Sequence, residues 1–346
     1  MLLTNFRAEY RDRLLSVLWR QWTALGVAGS QKAWNASVVD PEALLLITCT
    51  VARSDPRLFD AVLEWLRLNG QYINVQRIKR MLQNEVFVGE PVLNAVAAAI
   101  STSVSQNKWA KLADLPSTEP DSLESLFFLS NGNPLPVVRK EDDGFAKFGF
   151  AREQFIKRGV AEIFRPEDPS NLLLRLRALL GVNARCDVLQ FLLLNQTGSP
   201  RAIARDCYYF PATISKAMSE MSQSGFLVST TEGRRRCYRL TPDTWKGLFL
   251  GSAPKMSWIV WARLFSALEQ ILLFLDGESL AEKAAPVQAS ALRRILKREP
   301  LSRLEGRARS LVFENDSAHP GEALIPFFIT RTRALLSWLE DGIREE

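Results

Sequence analysis

The chain has 346 residues, with 44 Lys and Arg against 38 Asp and Glu, a formal charge of +6, one histidine and four cysteines. At about 150 residues per folding unit, that length suggests two or three packed units, and 47% hydrophobic with 24% charged residues excludes disorder over most of the chain. The lone His319 excludes a histidine-based metal cluster, and Cys49, Cys186, Cys207 and Cys237 lie too far apart in sequence to form a paired-thiolate motif, which points to a reducing compartment.

The opening MLLTNFRAEYRDRLL sets Arg7, Glu9, Arg11 and Asp12 where a secretory signal needs an unbroken apolar stretch, so a cytoplasmic location is expected. Residues 1–115 read as an N-terminal helical domain punctuated by Asp40-Pro41, Ser54-Asp55-Pro56 and Asn69-Gly70. Asp and Ser accept hydrogen bonds from free first-turn amides, Pro tolerates the first helical position, and Gly after a helix supplies the left-handed exit. Leu44, Leu45, Ile47 and Val51, then Leu58, Val62, Trp65 and Leu66, keep helical spacing.

Residues 116–150 break the pattern with PSTEPDS, NGNPLP and EDDG, and read as a connector. Phe127, Phe128, Phe145, Phe148 and Phe150 are too aromatic for a free linker, so part of it is expected to pack on a neighbour or form short strands.

Residues 151–245 hold the most informative segment. Between Leu172 and Thr241 stand ten basic and four acidic residues, which accounts for the whole net charge; an electrostatic footprint for phosphates belongs mainly there. The spacing predicts helices near 171–180 and 184–194, a short one from Ser199-Pro200 that carries Arg201, another over 211–223, and then a hairpin. In 211–223, Ile214, Ala217, Met218 and Met221 form a buried stripe. The opposite face carries Ala212, Lys216, Ser219 and Gln223, flanked by Thr213 and Ser215. These residues are short or hydrogen-bonding, as a helix needs if it is to approach base edges in a major groove. The hairpin runs through 226–230 and 237–241 around Glu232-Gly233, with Arg234, Arg235 and Arg236 near its tip, where arginine can enter a narrow minor groove.

The stretch ATISKAMSEMSQSGFLVSTTEGRRRCYRLTP, within residues 170–241, resembles the winged helix-turn-helix of MarR-type and ArsR-type bacterial regulators. The resemblance implies operator DNA binding by a dimer, with 211–223 as recognition helix and 229–237 as wing. Such regulators are usually little more than this domain, whereas here about 170 residues precede it and about 100 follow. The same reading offers 75–82 as a degenerate second helix-turn-helix element, because Val75, Ile78, Met81 and Leu82 share a stripe that sends Gln76, Arg77, Lys79 and Arg80 outward; a solvated basic face is the commoner explanation.

Residues 246–346 return to helical spacing. Trp258–Leu275 is apolar, but Arg263 and Glu269 in its middle argue against a membrane span, and its length suits a subunit interface. Arg293, Arg294, Lys297, Arg298, Arg303, Arg307 and Arg309, interleaved with Glu299 and Glu305, read as a charged helix surface. His319 reads as a turn residue, and the tryptophans as core.

The expectation is a mainly α, multidomain helical protein with a central winged helix-turn-helix. It binds double-stranded DNA as a homodimer, regulates transcription (repression being favoured), and answers to an unidentified ligand or protein effector, without a membrane, a cofactor, a metal or an enzymatic activity. The expected DNA contacts are Arg201, Ala212, Thr213, Ser215, Lys216, Ser219, Arg234, Arg235 and Arg236. The competing readings are a protein-docking adaptor and an RNA-binding or antitoxin-like protein.

Overall fold

A computed structural model of the chain describes residues 2–31, 34, 37–103, 107–115, 122–129, 131–233, 235–241, 256–277, 283–313 and 319–341. Among them are fourteen α-helices and five short strands, so the fold is mainly α as expected. None of these helices is long and apolar enough to cross a membrane.

The N-terminal helices are α1 (Leu2–Ala24), α2 (Pro41–Val51), α3 (Pro56–Asn69), α4 (Val75–Asn84) and α5 (Glu90–Ser103). Their starts follow the punctuation, but the left-handed exit expected at Gly70 does not form: Gly70 is right-handed, at φ -60°, because the chain tightens there into a 3-10 turn over Gly70–Tyr72. Asp40 accepts from the Ala43 amide, Asp55 from the Arg57 and Leu58 amides and Asn74 from the Arg77 amide, and Pro41 and Pro56 take first helical positions. The connector packs as expected. Its β1 (Glu124–Ser125) pairs in parallel with β2 (Phe150–Ala151), and α6 (Asp143–Ala146) lies between them in sequence. Phe127, Phe145, Phe148 and Phe150 are buried, and Phe59 meets Phe127 and Phe145 edge-on at 5.4 and 6.0 Å.

Next come α7 (Leu172–Leu180), α8 (Ala184–Asn195), β3 (Thr197–Gly198), α9 (Pro200–Asp206), α10 (Pro211–Gln223), β4 (Leu227–Glu232) and β5 (Arg235–Leu240). The strands form an antiparallel sheet in the order β3-β5-β4. The last helices are α11 (Trp261–Asp276), α12 (Ala285–Leu296), α13 (Gly306–Phe313) and α14 (Leu324–Asp341).

Two hydrophobic cores organise these elements. The larger joins α1–α5, the connector and α11–α14, so the two ends of the sequence share one interior. Tyr10 donates to the Leu268 carbonyl at 2.8 Å, and Arg13 pairs with Glu340 at 2.6 Å. The smaller core collects α7–α10 and the hairpin, with Val38, Met256 and Trp258 added. It begins at Leu172 rather than 151, because 151–164 lies on the larger core, where Phe150 and Phe164 are buried and Glu162 N donates to the Gly26 carbonyl.

Two expectations need correction. The helix offered as a subunit interface, Trp258–Leu275, is consumed within the chain: Trp261, Leu264, Phe265, Leu268, Ile271, Leu272 and Leu275 of α11 are all buried in it. Its apolarity reflects a central position in the larger core, where α1 and α2 cover it. Arg77 of α4, expected to point outward, is 3% exposed and faces three carboxylates. Lys79 and Arg80 are less buried, so the basic face of this helix is narrower than its sequence suggested.

Glu269 in α11 is fully buried, accepting from the Thr50 hydroxyl and from the Val88 amide at 3.0 Å. Burial pushes its carboxyl up to about 7, against an ordinary 4.5. The unfolded chain ionises first, so this group's contribution is intact below about pH 4.5 and lost as pH rises through about 7. Glu269→Gln is expected to match the native chain near pH 4.5 and to exceed its stability at about pH 8.5 by on the order of 2–3 kcal/mol in urea unfolding. Equal stability of the two at alkaline pH would show that the carboxylate carries no buried penalty.

Nearby, Gly89 lets the chain cross α2 closely. A Cβ there would sit 2.7 Å from Thr50 Oγ1 and 2.9 Å from Cys49 Cβ. Gly89→Ala is expected to cost about 1–3 kcal/mol by overpacking, read from the urea midpoint.

Candidate nucleic-acid interface

The smaller unit is built from helix starts that the sequence specifies. Asn183 accepts from the Arg185 amide to open α8, Ser199 accepts from the Ala202 amide to open α9, and Pro200 and Pro211 occupy first positions. Between α9 and α10 the chain turns through Tyr208 at φ 60°, a left-handed conformation that costs a β-carbon-bearing residue about 1–3 kcal/mol. Its buried ring and its hydroxyl, which donates to Glu85 at 2.7 Å, hold it there.

Helix α10 divides as its spacing predicts. Ile214, Ala217, Met218 and Met221 are buried, while Ala212, Thr213, Ser215, Lys216, Ser219 and Gln223 are exposed. Arg201, in the first turn of α9, is exposed too. In the hairpin, Glu232 pairs with Arg235 across the turn at Gly233, whose φ of 60° suits glycine. Arg234 lies outside the described residues, as does the side chain of Arg235. Arg236 is exposed; its guanidinium lies 5.3 Å over the Tyr238 ring and donates to Ser229 Oγ at 3.2 Å.

Arg201, Ser215 and Arg236 meet along one wide cleft, whereas Ala212, Thr213, Lys216 and Ser219 continue along the exposed face of α10 outside its lining. Not every base between 172 and 241 stands exposed and without a carboxylate partner. Arg177 is buried, Arg185 pairs with Glu220, and Arg205 pairs with Asp206 at 2.6 Å. The electrostatic footprint is therefore smaller than the residue count implied.

Buried charges, which no motif announced, bind this unit to the larger core. Arg77 donates to Asp40 Oδ1 at 2.8 Å, to Glu42 Oε2 at 2.7 Å and to the Cys207 carbonyl at 3.0 Å, and stands 3.4 Å from Asp187. Arg177 of α7 pairs with Glu42, donates to the Tyr72 carbonyl at 2.9 Å and stands 3.6 Å from Asp187. Tyr209 closes the set by donating to Asp187 at 2.8 Å and accepting from Asn74 at 2.9 Å. Burial alone would raise the Asp40 carboxyl, but the Arg77 guanidinium more than offsets this and holds it below its ordinary value.

Among the described residues, no group of three or more His, Cys, Asp or Glu is placed to hold a metal ion. Cys207 and Cys237 are buried, and burial pushes the Cys207 thiol well above its ordinary value, which leaves it unreactive. Comparison with protein-family models, with curated proteins and with solved structures gives no match.

Proposed function

We propose that this chain is a sequence-specific double-stranded-DNA-binding transcriptional regulator, most readily a repressor. In this reading α7–α10 and β3–β5 act as a winged helix-turn-helix, α10 enters the major groove and the β4–β5 hairpin is the wing on the flanking groove. Above all, α10 supports it. One stripe of this helix is buried, and the opposite face is exposed, polar and short-chained, beside an arginine-bearing hairpin. Base edges are read by donors, acceptors and methyl groups that reach them, which Thr213, Ser215 and Ala212 supply, while Lys216 suits a phosphate or a guanine edge.

A homodimer would set two such helices on successive major grooves, with an interface other than α11. Any effector acting through the larger core would reach α10 by way of the Arg77–Asp187 and Arg177–Glu42 contacts.

Fluorescence anisotropy with the full chain and duplex DNA at several salt concentrations tests the function. Binding is expected to weaken steeply with salt, and Lys216→Ala to cost about 1–3 kcal/mol if it reads a base, or to lower the salt slope by about 1 if it holds a phosphate. Equal affinity of the native chain and Lys216→Ala at every salt concentration would remove α10 from the interface.

A further inference from the structure

Six arginines from five separate elements or turns converge on the cleft beside α10: Arg80, Arg201, Arg205, Arg236, Arg263 and Arg303. The cleft measures about 1220 Å³, more than the roughly 300–1,000 Å³ of an ordinary ligand pocket, so a nucleotide-sized ligand fits without filling it. Glu85 at its floor stands 3.6 Å from Arg263 Nε and 3.7 Å from Arg303 Nη2. Asp206 contacts Arg205 at 2.6 Å, while Glu305 and Glu299 add second carboxylates to Arg263 and Arg303, at 2.9 and 4.0 Å. Among the described residues Arg80, Arg201 and Arg236 enter no ion pair, so a net positive charge remains.

Arg263 is the decisive side chain. It is 4% exposed and its Nη1 lies 2.9 Å from Glu305, but its Nε meets no hydrogen-bond acceptor, with Glu85 3.6 Å away. Arg80 is similar, with its guanidinium 3.9 Å over the Phe210 ring and its Nε without an acceptor. Buried N–H groups without acceptors are costly, and a ligand oxygen removes the cost. Planar guanidinium forks match phosphate oxygens two at a time, and several around one cleft match a chain of phosphates.

We propose that this cleft binds a small polyphosphate-bearing molecule, whose phosphate oxygens reach Arg263 at the floor while Arg205 and Arg303 hold it from the rim. Ser215 and Arg236 belong both to the cleft and to the DNA-facing surface, so ligand and duplex exclude one another; this exclusion, unlike the site itself, rests on the DNA-binding reading. The regulator would then release its operator when the phosphorylated ligand accumulates.

Isothermal titration of the full chain with sodium tripolyphosphate at constant ionic strength tests the site, with Arg205→Gln and Arg303→Gln as variants. Both side chains are partly exposed, at 58% and 36%, and folding is checked by circular dichroism. Saturable binding that weakens about tenfold with each substitution is expected, together with displacement of bound duplex by tripolyphosphate. No saturable heat, or binding indifferent to both substitutions, overturns the proposal. Weakened duplex binding without tripolyphosphate binding overturns it in favour of the DNA backbone as the source of phosphate. Tripolyphosphate binding that both variants lose, in a chain that binds no duplex, keeps the site and removes the DNA-binding reading.

Discussion

Arg77→Ala is expected to cost on the order of 3–5 kcal/mol of folding stability, because it leaves buried carboxylates without their main counter-charge. Asp40, Glu42 and Asp187 are all at least nine-tenths buried, and two guanidinium groups serve the three of them. Removing Arg77 leaves Arg177 on Glu42 and Asp187 and takes the ion-pair partner from Asp40, and the penalty is the desolvation of an unpaired charge rather than the net worth of one pair. Lysine at 77 is expected to restore only part of the loss, since one ammonium cannot reach Asp40, Glu42 and the Cys207 carbonyl in the fork geometry the guanidinium uses. Urea unfolding reads the difference. Arg57→Ala serves as the reference, because that side chain is 81% exposed and its loss is expected to stay within about 0.5 kcal/mol. A small loss at Arg77 would mean that the buried set is compensated elsewhere. The same set makes the chain acid-sensitive: the stability Asp40 gains from its lowered folded value is present above its ordinary 3.8 and lost as pH falls through that lowered value.

Neutralising the hairpin arginines together, as Arg234→Gln, Arg235→Gln and Arg236→Gln, is expected to lower duplex affinity about a hundredfold or more at moderate salt. The logarithmic salt slope should fall by about 2 to 3, one counterion for each arginine that meets the DNA. In the hairpin, the backbone of Glu232 pairs across from that of Arg235, and the exposed Arg236 sits on the Tyr238 ring. A ribbon of this kind positions and clamps, whereas α10 carries the polar face suited to base edges, so the triple variant is expected to keep the sequence preference of the native chain. An unchanged salt slope would take the hairpin off the nucleic acid.

The local architecture was legible because each element carries its own signal. Ser199-Pro200 opens α9, the four apolar residues of α10 recur at i, i+3, i+4 and i+7, and Gly233 permits the tight turn of the hairpin. What escaped the sequence is long-range. An apolar run such as Trp258–Leu275 looks alike whether it faces a second subunit or the middle of its own core, and only the fold shows α1 and α2 lying over it. Arg77 sits at a position that helical spacing marks as half outward, but Asp40, Glu42 and Asp187 come from α8 and the start of α2 to bury it. Likewise, Arg80, Arg205, Arg263 and Arg303 are far apart in sequence, and no spacing rule brings them to one cleft.

Selection from random duplexes in roughly 0.15 M salt, with the full chain and then with Thr213→Ala and Ser215→Ala, bears most directly on α10 as a reader of DNA. The native chain is expected to enrich a defined motif, and each substitution to relax the choice at one or two of its positions. A retained pool no different from the starting library, or a motif that neither substitution changes, would contradict it.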